Sequence, residues 1–89
     1  MKGWAIQVSG KVQGVFYRAS TVAEATRLGV KGTVKNLPNG DVFIEAFGKE
    51  EALSVLVNWC KQGPPMSNVT AVDVQEILWK EVLDFSVVY

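Results

Sequence analysis

Gly10-Lys11-Val12-Gln13-Gly14-Val15-Phe16-Tyr17-Arg18 joins two patterns of different period, and that join decides the fold. Before it, Trp4, Ile6 and Val8 alternate with Ala5, Gln7 and Ser9, the period of a strand with two unlike faces. Beyond it, Val22, Ala25 and Leu28 recur at helical spacing, and Gly29 suits the left-handed position that ends a helix. The stretch therefore leads from a strand into a helix, with two glycines in the turn. Helix starts leave backbone N–H groups without partners, and a Ser, Thr, Asp or Asn oxygen usually supplies one. Val15, Phe16 and Tyr17 offer no such oxygen, although a later start capped by Ser20 or Thr21 also fits the pattern. Arg18 falls in the first turn, where a cation opposes the helix dipole at a cost of a few tenths to about 1 kcal/mol. Free amides, flexible glycines and a misplaced cation together suit a docked anion, phosphate above all.

Downstream, Lys31–Leu37 and Val42–Gly48 read as strands around Leu37-Pro38-Asn39-Gly40-Asp41, whose proline, asparagine and glycine carry hairpin turn chemistry. Glu50 to Gln62 reads as a second helix, with Leu53, Leu56, Val57 and Cys60 on one face and Gly63 as its stop. Gly63-Pro64-Pro65 is a loop, because proline breaks both ladders and helices. A less regular alternation predicts a strand over Val69–Ile77, and Phe85–Tyr89 closes the chain as a short one. The order β-α-β-β-α-β with a strand added predicts an α+β, ferredoxin-like sandwich: an antiparallel sheet with two helices on one face. That architecture hosts many functions and decides none of them.

A length of 89 residues predicts a single domain over residues 1–89, large enough for a two-layer core. No apolar run approaches the roughly 20 residues that span a membrane. Met1-Lys2-Gly3-Trp4 leads straight into a strand pattern rather than a signal peptide. Cys60 is the one cysteine and cannot pair within the chain, so the cytoplasm is the expected compartment. Nine cations balance nine anions, but residues 1–37 hold Lys2, Lys11, Arg18, Arg27, Lys31 and Lys35 against Glu24 alone. The surplus is +5 there and −5 over residues 38–89. Chance on a solvated surface accounts for this, and so does a positive field around the glycine loop that draws in small anions. Zero net charge argues against general nucleic-acid binding. Without histidine, the common triads and His-based metal sites are excluded, and one cysteine cannot build a multi-thiolate zinc site.

Gly10-x-Val12-Gln13-Gly14-Val15-x-Tyr17-Arg18 resembles the signature loop of the acylphosphatases. Leu28-Gly29, Gly32-x-Val34-x-Asn36-Leu37-x-Asn39-Gly40-x-Val42, and Gly63-Pro64-Pro65 before Val69 extend the likeness over nearly the whole chain. A glycine-rich loop alone is common, whereas that loop followed by a correctly ordered asparagine and hairpin is much more specific. One departure is Thr33, where the family often carries tryptophan; it stands beside the catalytic positions and bears on packing. The resemblance implies a ferredoxin-like fold and hydrolysis of acyl phosphates to a carboxylate and inorganic phosphate, with no metal and no cofactor. It implies phosphate binding by Lys11, Val12, Gln13, Gly14, Val15, Phe16, Tyr17 and Arg18, through loop N–H groups and the Arg18 guanidinium. Arg18 and Asn36 are then the catalytic residues, with Asn36 orienting the attacking water. The expected partners are a small-molecule acyl phosphate and inorganic phosphate or a similar anion in the loop. Neither nucleic acid nor membrane is expected, and the protein is expected to be a monomer.

Taken singly, these residues say less. Arg18 alone reads as an exposed helix arginine and Asn36 as a turn starter; the joint pattern reverses both readings. Lys11 reads as a solvated cation that adds field strength, and Cys60 as a core residue rather than a nucleophile. Trp59 and Trp79 read as packing or surface residues. RNA-recognition domains share this element order and stack bases on sheet aromatics. Phe43 and Phe47 flank Glu45 on one strand face, but an acidic residue between them repels phosphates. Two further alternatives are an acylphosphatase-like module handling carbamoyl phosphate within a maturation enzyme, and an anion-binding regulatory domain. The regulatory domain would need Arg18 but not Asn36.

Overall fold

Each predicted element forms, with ends that differ by a residue or two. In the computed structural model, which describes Met1–Tyr89, β1 spans Lys2–Lys11, α1 Tyr17–Leu28, β2 Lys31–Asn36 and β3 Val42–Gly48. α2 spans Glu50–Gln62, β4 Asn68–Ile77 and β5 Phe85–Val87. The strands form one sheet in the order β4-β1-β3-β2-β5. β1 pairs antiparallel with β3 and β4, and β3 with β2, so this four-stranded part is antiparallel as expected. The terminal strand departs from that expectation. β5 runs parallel to β2, with Phe85 opposite Gly32 and Val87 opposite Val34, so the sheet is mixed. The route of the chain explains the direction: β4 and β2 run opposite ways, and residues 78–84 cross at the end where β4 finishes. The returning strand must then run in the sense of β2. Gly32 N–H donates to Asp84 O and Val88 N–H to Val34 O, both at 2.9 Å, which pairs an edge that would otherwise be bare.

The core lies between the sheet and both helices. Ile6 and Val8 on β1 face Ile44 and Val42 on β3, Val34 on β2 faces Ile44, and all five are buried. α2 buries Leu53, Leu56, Val57 and Cys60, the face read from its spacing. α1 differs from its reading. Its buried stripe is Tyr17, Thr21 and Ala25, while Val22 and Leu28 are only partly buried. Thr21 fits there because its hydroxyl donates to Tyr17 O at 2.7 Å, leaving no free donor in the core. The β2–β3 turn is held by Leu37 N–H to Asp41 O at 2.8 Å and Gly40 N–H to Leu37 O at 3.1 Å.

The opposite face of the sheet carries Phe43, Glu45 and Phe47, but not as an exposed stacking pair. Phe47 is 3% exposed, its ring lies against Gly3, and Lys80 Nζ sits 5.7 Å from the ring centroid. No helix is long and apolar enough to cross a membrane.

Where β1 enters the glycine loop, the pairing register with β4 shifts between Ser9 and Gly10. Gly10 has φ 121°, and a Cβ there would lie 2.2 Å from Asn68 O. Backbone meets backbone, so nothing can yield cheaply. Gly10→Ala is expected to cost at least ~2 kcal/mol. For a domain of this size that lowers the melting temperature by about 10 °C or more, measurable by thermal unfolding in circular dichroism.

Candidate active site

β1, β2 and β5 run in one direction, so their C-terminal ends lie together at one end of the sheet. Residues 12–16 turn the chain there and start α1 back across the sheet. A cavity of about 300 Å³ opens at this end. Val12, Gly14 and Phe16 of the loop line it, with Tyr17, Arg18 and Ala19 from the first turn of α1. Asn36 at the end of β2 and Val87 and Tyr89 of the C-terminal tail complete the wall.

The loop's amides are free. The N–H groups of Val12 to Phe16 donate to no backbone or side-chain acceptor, and the first bond at the helix start is Ser20 N–H to Phe16 O at 3.0 Å. Phe16 precedes the helix in the left-handed region (φ 66°, ψ 21°) and supplies no side-chain cap, so a start capped by Ser20 or Thr21 is not adopted. Gly14 also has positive φ, at 73°, whereas Val15 between them does not. Alternation of hand turns successive N–H groups toward one side, the arrangement of anion-binding nests. A phenylalanine held at positive φ costs about 1–2 kcal/mol, which the fold does not need for packing.

The residues singled out in the sequence fall into three groups. Arg18 and Asn36 both line the cavity. Arg18 has no carboxylate partner, since the ion pairs are Lys2 with Glu50 and Glu76, at 3.2 and 3.5 Å, and Arg27 with Glu24. Its guanidinium carbon lies 5.3 Å from the centroid of the Tyr89 ring. Asn36 sits opposite Val42 on the helix side of the sheet, and its Oδ1 is the one buried side-chain polar atom without a hydrogen-bond partner. Leaving such a group unpaired costs about 1–3 kcal/mol.

Val12, Val15 and Tyr17 form the second group. Their side chains belong to the core, so backbone amides are what they offer a ligand. Tyr17 OH donates to Cys60 O at 2.8 Å, and its ring packs on Trp59 with centroids 5.4 Å apart. Burial pushes the Tyr17 phenol well above its ordinary pKa and the Cys60 thiol up to about 12. At neutral pH both keep their protons, and Cys60 is a core residue as read.

Lys11 and Gln13 form the third group, because neither lines the cavity. Lys11 is exposed opposite Asn68. Gln13 Nε2 donates to Leu37 O at 2.9 Å and Asp41 O at 2.8 Å, tying the loop to the hairpin that follows Asn36. The positive surplus of residues 1–37 is shared between the two ends of the sheet. Lys11, Arg18 and Lys35 stand near the cavity, while Lys2 and Lys31 begin their strands at the far end. Val87 and Tyr89 carry no motif. Their place in the wall follows from the direction of β5, which no local pattern announces.

The geometry defines a class: an α+β sandwich whose loop-to-helix turn offers free amides and one guanidinium to a small ligand. Comparison with known proteins narrows it. The acylphosphatase family pattern matches residues 4–87. An acylphosphatase of Methylococcus capsulatus (strain ATCC 33009 / NCIMB 11132 / Bath) is 47% identical over 77 residues, covering 86% of this chain and 84% of its own. The crystal structure of acylphosphatase from Bacillus subtilis superposes with a TM-score of 0.97 at 40% identity, covering 100% of both chains. Full-length HypF in its phosphate- and nucleotide-bound form is also similar, with a TM-score of 0.89 and 27% identity over 99% of this chain and 12% of that one. The chain belongs to the acylphosphatase family. It is a hydrolase, and the family's reaction is the hydrolysis of acyl phosphates.

Proposed function

We propose that Arg18 and the free amides of the 11–18 loop hold the phosphoryl group of an acyl phosphate while Asn36 aligns the attacking water. The buried, unpartnered Oδ1 of Asn36 in the wall of this cavity carries the reading. A carbonyl oxygen accepts from water and the amide nitrogen donates to it, which suits positioning rather than proton abstraction. In the reaction, the water oxygen bonds to phosphorus as the bond from phosphorus to the acyl oxygen breaks. The electron pair leaves with the carboxylate, and the water's proton passes to a phosphoryl oxygen. An acyl phosphate is a mixed anhydride with a good leaving group, so departure needs no general acid. Charge stabilisation and alignment then supply most of what phosphoryl transfer requires.

Arg18 presents a planar fork to two phosphoryl oxygens, which lysine cannot imitate. Preorganised amides take the rest of the developing charge. Lys11 adds field, and Gln13 holds the loop in register with the strand end that bears Asn36. Inorganic phosphate, as product, competes for the same cradle. The protein works as a monomer over residues 1–89, without metal or cofactor, in the cytoplasm, where a lone reduced cysteine is at home.

The test is hydrolysis of benzoyl phosphate by the purified protein in the presence of a chelator. The expected result is turnover that the chelator does not reduce and that inorganic phosphate inhibits competitively. Absence of turnover, with phosphate still raising the melting temperature, would leave an anion-binding domain in its place.

A further inference from the structure

One side chain ties the glycine loop to the strand end that bears Asn36. Val12 and Val15 sink into the core, which fixes the depth of the loop, but apolar contacts are non-directional and set no register. Of residues 12–15, only Gln13 makes hydrogen bonds to the rest of the chain. Its Nε2 donates to Leu37 O at 2.9 Å and to Asp41 O at 2.8 Å. Both partners are carbonyl oxygens, so both N–H groups of the amide are engaged there. Leu37 and Asp41 follow directly on the paired Asn36 and Val42. Gln13 thus grips the hairpin one residue past Asn36.

Asp41 is held from a second side. Its Oδ2 accepts from Gln7 Nε2 at 2.7 Å and from Asn39 Nδ2 at 3.2 Å, and its N–H donates to Asn39 Oδ1 at 2.9 Å. Bonds to a carboxylate are the stronger kind. Gln7 lies on β1, the strand that leads into the loop, so Gln7, Asp41 and Gln13 close a ring through the backbone of residues 7–13. The turn itself needs neither glutamine, because Leu37 N–H to Asp41 O and Gly40 N–H to Leu37 O already hold it. What the ring adds is a fixed separation between the loop amides and Asn36.

We propose that Gln13 and Asp41 are positioning residues for the hydrolysis. Gln13 sets the loop amides that hold the phosphoryl group against the Asn36 Oδ1 that aligns the water, and the Gln7–Asp41 bond steadies its anchor. This role rests on the mechanism proposed above. The test measures kcat and KM for benzoyl phosphate, and inhibition by inorganic phosphate, well below the melting temperature. Gln13→Met, Asp41→Ala and Asp41→Asn are each compared with the parental protein and again in the Asn36→Ala background. Gln13→Met should lower kcat by about 10- to 100-fold, the scale of a 1 Å misplacement, with phosphate inhibition shifting less than about threefold. Asp41→Ala keeps the backbone carbonyl and should lower kcat by about three- to tenfold, while Asp41→Asn keeps an acceptor for Gln7 and should restore it. In Asn36→Ala no water is aligned, so neither substitution should lower kcat by more than about twofold further.

Equal losses in both backgrounds mean that Gln13 and Asp41 do not act through Asn36, which overturns their positioning role and leaves the hydrolytic mechanism standing. Weaker phosphate inhibition with parental kcat overturns it too, by making Gln13 a support of the anion cradle alone. If Gln13→Met does not fold, Asp41→Ala and its recovery in Asp41→Asn decide the matter on the same readouts. No turnover by the parental protein overturns the mechanism and the positioning role together.

Discussion

Arg18→Ala is expected to lower kcat/KM for benzoyl phosphate by about 10³-fold or more, the scale of losing an arginine that stabilises phosphoryl-transfer charge. Arg18 is the only cation in the cavity wall, and no carboxylate competes for it. Removing it leaves the loop amides, which bind an anion but supply no full charge. Protection of the fold by inorganic phosphate should therefore weaken along with turnover. Stability without phosphate should not fall. A cation in the first turn of α1 opposes the helix dipole, so the alanine variant should gain up to about 1 kcal/mol. Arg18→Lys sharpens the test by keeping the charge and losing the fork, with an expected loss of about 10²-fold. If Arg18→Lys turns over at the parental rate, bidentate binding by this residue is wrong.

Much of the fold is legible in the sequence because its signals are local. Alternation in Trp4–Val8, turn chemistry in Pro38-Asn39-Gly40 and the stripe Leu53-Leu56-Val57-Cys60 each need only neighbouring residues, and each appears where it is expected. The illegible parts depend on distant ones. The direction of β5 follows from which end of the sheet receives residues 78–84, and a three-residue strand has no pattern with which to declare it. The buried stripe of α1 is misread because Thr21 is polar by composition yet spends its hydroxyl on Tyr17 O.

The candidate site divides along the same line. The absence of a cap before Tyr17, the glycines and Arg18 are adjacent in sequence, and the uncapped start is what the structure has. Gln13 reaches carbonyls 24 and 28 residues away, which no spacing rule connects to a loop glutamine. Asn36 is the intermediate case. Its position after a strand and before a turn is local, but the burial of its oxygen depends on the loop and helix packed over that strand end.

Asn36→Ala is expected to lower kcat for benzoyl phosphate by about 10²–10³-fold, the usual consequence of removing one aligned polar group from a preorganised site. KM and inhibition by inorganic phosphate should move little, because the proposed mechanism has Arg18 and the loop, rather than Asn36, hold the phosphoryl group. That split separates an aligner of water from a second anion ligand, which would raise KM and the phosphate inhibition constant together. It also decides against a regulatory anion-binding domain, for which Asn36 would be irrelevant to anything measurable.

The stability of the same variant carries independent weight. An unpaired buried carbonyl costs about 1–3 kcal/mol, and alanine removes it at the end of a strand where little packing is lost. The melting temperature should hold or rise while the rate collapses. A residue kept for the fold would do the reverse. Asn36→Ala with parental kcat would mean that the water is aligned elsewhere and that the orphan oxygen serves some other contact.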